Sequence, residues 1–380
     1  MRVEQVVASA HSLPFDTVAL SFGVGRNVKR DMVFVRVIAD DGTIGYGESH
    51  HAMAPTAIVE IINHSLAPLI VGMDCLDREG IFDRIHRSQI QTHGTGTAAV
   101  IAVSGVDIAL FDLAGKMLGK PIFSLLGGSQ RPIPAYAGGL SLGFQPLESL
   151  EREVQAIIEA GYRTIKLRVG QNPRVDAERV GHIRKTFGDE LEIAVDAATR
   201  YSILDIEAIA RYCERYQVLW MEEPFTPDNL DGYKALKRRT GTPLAAGENH
   251  YTKQSFRDLL RAGAVDIVQA DCTKAGGITE VKKIADMAAA YHVRVAPHTS
   301  QSILSVGANL HLLSAIPNGL IHEADLAPIN PFRDKLAVNP PKLDKGCLLA
   351  PVGSGLGLEV DEGILKDFAG VPGPCYLPGH

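Results

Sequence analysis

The fold class this 380-residue sequence predicts is α/β: a (β/α)7–8 barrel of the TIM type, with an N-terminal α+β cap that the C-terminal segment completes. Two observations carry the prediction. From about residue 133 short apolar runs alternate with helical patterns for about 190 residues, the rhythm of repeated strand–helix units. Within that stretch Asp196, Glu222 and Glu248 lie 26 residues apart, and each closes an apolar run: Ile193 to Val195, Val218 to Met221, and Leu244 to Gly247. A spacing near 26 is about one strand plus one helix, so the three acids fall at equivalent ends of consecutive parallel strands. An open doubly wound sheet competes with the barrel. Polar residues recurring at every strand end, instead of at one switch point, favour the barrel.

Taken in order, residues 1–125 read as the cap. Val3 to Val7, Met32 to Ile38 and Thr43 to Tyr46 have strand character, and Asp40-Asp41-Gly42 is a hairpin turn. Helical patterns follow over 55–69, 78–91 and 97–118, and Leu125-Leu126-Gly127-Gly128 closes the region. Residues 126–330 form the barrel, with strands expected near 133–137, 163–169, 191–196, 217–222, 243–247, 265–270, 293–297 and 319–323. Helices such as Leu147 to Ala160, Ile203 to Tyr216 and Ile278 to Tyr291 lie between them. Residues 331–380, with Pro340-Pro341 and Gly353 to Gly357, lack the alternation. They are expected to pack back on the cap, with Pro372 to His380 fraying.

Composition narrows the partners. A net charge of −6 offers no electrostatic reason to bind nucleic acid or an anionic membrane. No apolar stretch is expected to span a bilayer, the best candidate, Ala57 to Val71, being broken by Glu60, Asn63 and His64. Glu4, His11 and Asp16 interrupt any signal core, and the five cysteines are odd in number and scattered. Neither export nor a disulfide framework or zinc knuckle is indicated. The expectation is a cytoplasmic enzyme.

The chemistry follows from the strand ends. Three carboxylates brought together repel unless a cation lies between them, and all-oxygen ligation suits a hard ion such as Mg2+. Singly, each acid reads as a helix cap or a solvated loop residue; evenly spaced, they read as a site. The sixth strand ends at Asp271, followed by Lys274, the seventh at His298 and the eighth at Glu323. The second strand places Lys166 and Arg168 on one side by alternation. His64, His86 and His311 stand alone and read as surface or satisfied core residues.

These motifs together, Lys166-x-Arg168, Val195-Asp196, Met221-Glu222-Glu223-Pro224, Gly247-Glu248-Asn249, Asp271 with Lys274-x-Gly-Gly277, His298 and Glu323, resemble the enolase superfamily and its mandelate racemase subgroup over nearly the whole chain. The resemblance implies Mg2+ held by Asp196, Glu222 and Glu248, with a small-molecule carboxylate substrate. It implies His298 as base, Asp271 as its orienting partner, and Lys166 as the charge opposite the substrate carboxylate. Glu323 would donate a hydrogen bond to the enediolate if protonated. Arg168, Asn249 and Lys274 are candidate substrate contacts, with equal standing for Arg168 pairing with a metal carboxylate, Asn249 lying behind the ligands and Lys274 at the surface, while Glu223 reads as a partner of the ligands. Arg26, His50 and His51 are candidates for a lid, although surface positions are the better expectation for each singly. A symmetric homo-oligomer is also implied.

Two departures refine the function. Where the subgroup has a second lysine as opposite-face base, this chain has Arg168, whose guanidinium stays protonated. Where many relatives have an amide able to touch an α-hydroxyl, it has Ala198. One base suffices for dehydration of a sugar acid of aldonate or aldarate type to a 2-keto-3-deoxy acid. The alternative is a racemase, epimerase or cycloisomerase acting on a hydroxy acid, lactone or hydroxylated amino acid, with Lys166 as second group. A catalytically silent metal-binding protein is the alternative from another class.

Overall fold

The structure is a computed structural model that describes residues 1–15, 21–22, 25–92, 94, 96–299 and 302–377. Val3–Pro14, Lys29–Ala39 and Ile44–Ser49 form an antiparallel sheet with Lys29–Ala39 at its centre. At the tip of the hairpin the Asp41 carboxylate accepts from the Thr43 N–H at 2.9 Å. The central strand is buried on both faces. Val33, Val35 and Val37 pack with the cap helices, whereas Met32 and Phe34 join the apolar core that runs into the barrel. One strand thus belongs to two cores.

The cap helices occupy Pro55–Ile70 (with a wider π turn over Ile61–Leu66), Arg78–Ile90 and Thr97–Leu118. The last of these corrects an expectation. It is long and apolar enough to cross a membrane by length and composition alone, with a mean hydropathy of 1.8, but 94% of that window is buried inside the protein. It is apolar all round because it is covered all round, by the sheet on one side and the barrel helix Gly277–Ala290 on another. Gly47 permits the sheet contact, since a Cβ there would lie 2.1 Å from the Gly105 carbonyl oxygen. On the barrel side Asp107 accepts from the Thr279 hydroxyl at 2.6 Å and from its N–H at 2.9 Å.

The barrel strands are Ile133–Gly138, Thr164–Arg168, Glu192–Asp196, Met221–Glu222, Leu244–Ala246, Ile267–Val268, Arg294–Val295 and His322–Asp325, all parallel and in sequence order. The eighth pairs with the first through four residues. A bridge between Val295 and Gly319 brings the seventh against the segment entering the eighth, so the sheet closes on itself. Each observed strand lies within its expected segment or within one to two residues of it.

A second joint ties cap to barrel. The fully buried Glu48 carboxylate, at the end of the third cap strand, accepts from the Ser302 hydroxyl at 2.5 Å and from the Ser302 and Ser305 N–H groups. Those groups begin the helix Ile303–Ala315, where backbone N–H groups lack intrahelical acceptors. Burial, partly opposed by these bonds, pushes the Glu48 carboxyl up to about 8.

The C-terminal segment contacts both barrel and cap. Cys347–Leu348 adds an antiparallel strand to the first barrel strand, and Glu362 accepts from Tyr46 at 2.9 Å and pairs with Arg36 at 3.1 Å. The expected fraying fails where it can be judged. Tyr376–Leu377 pairs with Gly25–Asn27 as a strand, because Cys375 is buried and anchors it. Residues 378–380, where that expectation ends, lie outside the described residues.

Two outcomes are expected. Gly47→Ala should destabilise the fold by about 3 kcal/mol or more, whereas Gly42→Ala, with open space around it, carries only the local strain of a positive φ; chemical denaturation measures both. The folded carboxyl of Glu48 binds its proton more tightly than the unfolded one, so its contribution is full at low pH and is lost as pH rises from about 4.5 through about 8. Glu48→Gln should therefore flatten the fall in stability over that window, read as the difference between the two pH–stability curves.

Candidate active site

Strand alternation builds the site in two storeys. The lower storey is an apolar floor of one residue per strand: Tyr136, Ala194, Trp220, Ala245, Ile267, Ala296 and Ile321. The second strand contributes Lys166, which is in register with Ala194. Two residues further along each strand lies the upper storey: Gly138, Arg168, Asp196, Glu222, Gly247, Gln269, His298 and Glu323. A mostly apolar storey below and one above that carries Arg168, Asp196, Glu222, Gln269, His298 and Glu323 follow from that period of two. Glu248 and Asp271 come just beyond, at the strand mouths.

Lys166 links the storeys. Its stem lies in the floor, and its ammonium reaches Glu222 at 2.7 Å, Glu323 at 2.8 Å and Asp196 at 3.6 Å, with no exposed surface. Burial opposes its charge, but the surrounding carboxylates win and hold it well above the usual lysine range. Arg168 pairs with Asp196 and donates to the Gly139 carbonyl at 2.5 Å. Glu222 also accepts from Gln269 at 2.6 Å. Burial, relieved by Lys166 and reinforced by Asp196, Glu323 and Glu248, pushes its carboxyl up to about 7.

On the other side, His298 spans two carboxylates. Nδ1 lies 2.9 Å from Asp271 and Nε2 lies 2.9 Å from Glu248. Asp271 is fixed by the Thr273 N–H at 2.7 Å and the Thr273 hydroxyl at 2.9 Å. Burial works against a charged imidazole here, yet Glu248 and Asp271 raise it to about 10. Lys274 approaches Glu248 at 3.8 Å. Asn249 directs its amide to Glu223 at 2.6 Å and to Glu248 at 3.4 Å, and Glu223, which takes a φ of +36°, accepts it. Asn249 and Arg168, both candidate substrate contacts, thus bond carboxylates here.

Glu323 does not meet here the condition attached to its expected role, a retained proton. It accepts from the Gly139 N–H at 2.9 Å and the Thr299 N–H at 3.0 Å, and it pairs with Lys166. Every one of these partners donates, so the carboxylate is ionised. Burial would raise it, but Lys166 and His298 hold it down at about 2. It cannot serve as a hydrogen-bond donor in this state. Gly139, at a φ of +66°, leaves room that any Cβ would take from Asp325.

The three acids of the regular triplet do not form one tight donor set: Asp196 and Glu222 share Lys166, while Glu248 turns to His298 and Lys274. Their chemistry still fits a hard divalent cation. Asp196 and Glu222 are buried and Glu248 is half-buried, and both Asp196 and Glu248 push the Glu222 carboxyl up, a crowding that added positive charge would relieve. Among the described residues, the grouping whose ligand atoms all lie within 4.8 Å of one another is elsewhere, Asp31 with His51 and Cys375. Lys29 lies 3.1 Å from that Asp31, already supplying the positive charge.

Gln269, Trp220, Tyr136 and Glu48 were missed by sequence reading. Gln269 was within reach, two residues before Asp271 on the same strand face, and the same spacing connects Trp220 to Glu222. His50 and His51 are not surface residues as expected. They stack at 4.3 Å, and the His50 N–H donates to the Thr273 carbonyl at 3.0 Å. His311 is a core residue stacked on Phe123, as expected.

Comparison with known proteins agrees with this architecture. Residues 5–127 match the mandelate racemase / muconate lactonizing enzyme N-terminal domain, and residues 149–364 match the enolase C-terminal domain-like family. An arabinonate dehydratase of Saccharolobus solfataricus is 34% identical over 340 residues, covering 89% of this chain and 90% of that protein. A crystal structure of an enolase superfamily member from Polaromonas sp. JS666 superposes with a TM-score of 0.96 at 42% identity, covering 99% of this chain and 100% of that one. A racemase from Streptomyces coelicolor A3(2), solved with bound magnesium, superposes with a TM-score of 0.88 at 28% identity, covering 97% and 99%.

Removing Lys166 should expose how much the site depends on it. Lys166→Met leaves three buried carboxylates without their shared cation, a loss of about 3–5 kcal/mol. Denaturation of wild type and variant in the presence of a chelator, at pH 8, measures the difference.

Proposed function

The chain belongs to the enolase superfamily, in its mandelate racemase / muconate lactonizing enzyme branch, and from that premise we propose that it is a Mg2+-dependent dehydratase of sugar acids. The reading rests above all on one observation. A single imidazole, His298, is held between Asp271 and Glu248 at 2.9 Å each, and the position where a second base would stand carries Arg168.

In this reading Asp196, Glu222 and Glu248 would hold Mg2+, which would supply positive charge against the negative charge that builds on the substrate carboxylate. Asp271 keeps the Nδ1 proton of His298 in place, and Nε2 becomes a base once Glu248 turns from it to the metal and no longer holds the imidazole charged. His298 Nε2 removes the proton on C2 and then returns it to the departing C3 hydroxyl, which leaves as water. The enol that results becomes a 2-keto-3-deoxy acid, and His298 is regenerated. Lys166, anchored by Glu323, supplies fixed positive charge beneath the reacting carboxylate. Arg168 and Asn249 orient Asp196 and Glu248, and Lys274 supports Glu248. The similarity to an arabinonate dehydratase favours an aldonate as substrate. Five free cysteines are in keeping with a reducing compartment.

The likeness to a racemase favours isomerisation as the second reading. It would require Lys166 to exchange a proton on the opposite face, where its ammonium is ringed by three carboxylates.

Incubating the enzyme with aldonic and aldaric acids and Mg2+ in D2O separates the readings. A 2-keto-3-deoxy product is expected, abolished by chelation and lowered about 10²- to 10⁴-fold by His298→Asn. Exchange of the α-proton without a keto product would point to the isomerase, and no exchange on any acid would leave a silent metal-binding protein.

A further inference from the structure

His298 and Asp271 stand on different strands, each beyond the point where its strand leaves the ladder. The sixth and seventh strands pair through Ile267 with Arg294 and Val268 with Val295, and both groups lie three residues past the second pair. Beyond it the two backbones are joined by the Ala296 N–H to the Val268 carbonyl at 2.9 Å, and only loosely by the His298 N–H to the Gln269 carbonyl at 3.5 Å. A carboxylate and an imidazole held at 2.9 Å need a further tie. Asn309 supplies one. It is fully buried in the helix Ile303–Ala315. Its Oδ1 accepts from the Cys272 N–H at 3.3 Å. Its Nδ2 donates to the Thr299 hydroxyl at 3.0 Å and, at 3.4 Å each, to the Asp271 carboxylate and the His298 carbonyl. One amide thus reaches Asp271 and Cys272 on one strand mouth and His298 and Thr299 on the other. An N–H faces its oxygen and acceptors face its nitrogen, so the network fixes which way the amide points.

The two oxygens of Asp271 divide the work. Oδ2 faces His298 Nδ1, while Oδ1 accepts from the Thr273 N–H, the Thr273 hydroxyl and Asn309. The Thr273 donors belong to the same loop as Asp271 and move with it. Asn309 comes from another element, and it also holds the loop that carries the imidazole. Its helix is anchored on both sides of it. Glu48 of the cap grips the first turn through Ser302 and Ser305, and His311 Nε2 lies 3.0 Å from the Leu356 carbonyl. None of the bonds to Asn309 involves Asp196, Glu222 or Glu248.

We propose that Asn309 is a positioning residue that sets the His298 imidazole against the Asp271 carboxylate, acting through Asp271 and Thr299. The inference rests on the reading of His298 as the base and deepens it. Without the amide, Asp271 keeps Thr273, but the two strand mouths lose the group that refers one to the other. A misplacement of about 1 Å at reacting groups can cost about 10²-fold in rate. The loss falls on proton transfer and leaves binding alone, so kcat carries it and KM does not.

The test is Asn309→Leu, which removes the amide at similar volume, with thermal unfolding to verify that the fold is kept. Thr299→Val removes only the shortest bond, and it decides alone if Asn309→Leu does not fold. Ser314→Ala, on the same helix and with a buried hydroxyl that has no partner among the described residues, is the control. On the acid turned over, kcat should fall about 10- to 100-fold in Asn309→Leu and about three- to tenfold in Thr299→Val. KM, and Mg2+ affinity by calorimetry, should stay within about twofold, and the control should match the wild type. An unchanged kcat, a loss of Mg2+ affinity as large as the loss of kcat, or the same loss in the control would overturn the proposal. If the wild type neither transforms nor exchanges any acid, the reading of His298 as base fails by itself. NMR of protein labelled with 15N-histidine, its His298 signals assigned with His298→Asn, then decides the role of Asn309. A His298 Nδ1–H signal that shifts or exchanges faster with solvent in the variants, with Mg2+ affinity kept, supports it, and a signal that stays in place refutes it.

Discussion

Buried negative charge at one end of the barrel is the constraint to which the other features answer. Asp196, Glu222 and Glu323 have almost no exposed surface, and water cannot screen them. At such separations in a poorly polarisable interior, mutual repulsion is severe unless cations sit among them. Lys166 is the shared answer, touching all three. Its long stem threads the apolar floor, which is why a lysine can occupy a ring otherwise made of Tyr136, Ala194, Trp220 and other apolar residues.

The same constraint engages residues that are candidates for substrate contact. Arg168 is engaged with Asp196 and the Gly139 carbonyl, and Asn249 with Glu223 and Glu248. Glu323, surrounded by donors, is an anion that steadies Lys166 and does not itself donate. His298 has both nitrogens against carboxylates, and of these only Asp271 is itself pinned by a neighbouring hydroxyl and N–H. An imidazole with one fixed partner and one at the mouth is oriented and still able to work.

The cap and tail do a different task from the barrel. Glu48 meets the start of a barrel helix, Asp107 meets Thr279, and His50 meets Thr273. These joints hold loops and short strands over a mouth whose walls are rigid parallel strands. Reactive groups are placed where backbone hydrogen bonding fixes position.

Much of this was legible in the sequence. One β/α unit per about 26 residues and a period of two within each strand are local rules, and they placed Asp196, Glu222, Glu248, Asp271, His298, Glu323, Lys166 and Arg168 at one end of the barrel. Gln269 was legible by the same rule. The partner of each group was not. Whether Arg168 faces substrate or Asp196, whether Glu323 keeps a proton, and whether Thr97–Leu118 lies in a membrane or a core depend on residues far away in the chain. Least legible was the tail, where Cys375 and Tyr376 sit among prolines and glycines that signal an unstructured end. The sequence by itself determined which groups gather at the barrel mouth, because strand and helix periods are set by neighbouring residues. Only the tertiary structure decided their charge states and partners, because burial and pairing are properties of segments that meet across more than three hundred residues, as Tyr376 meets Asn27.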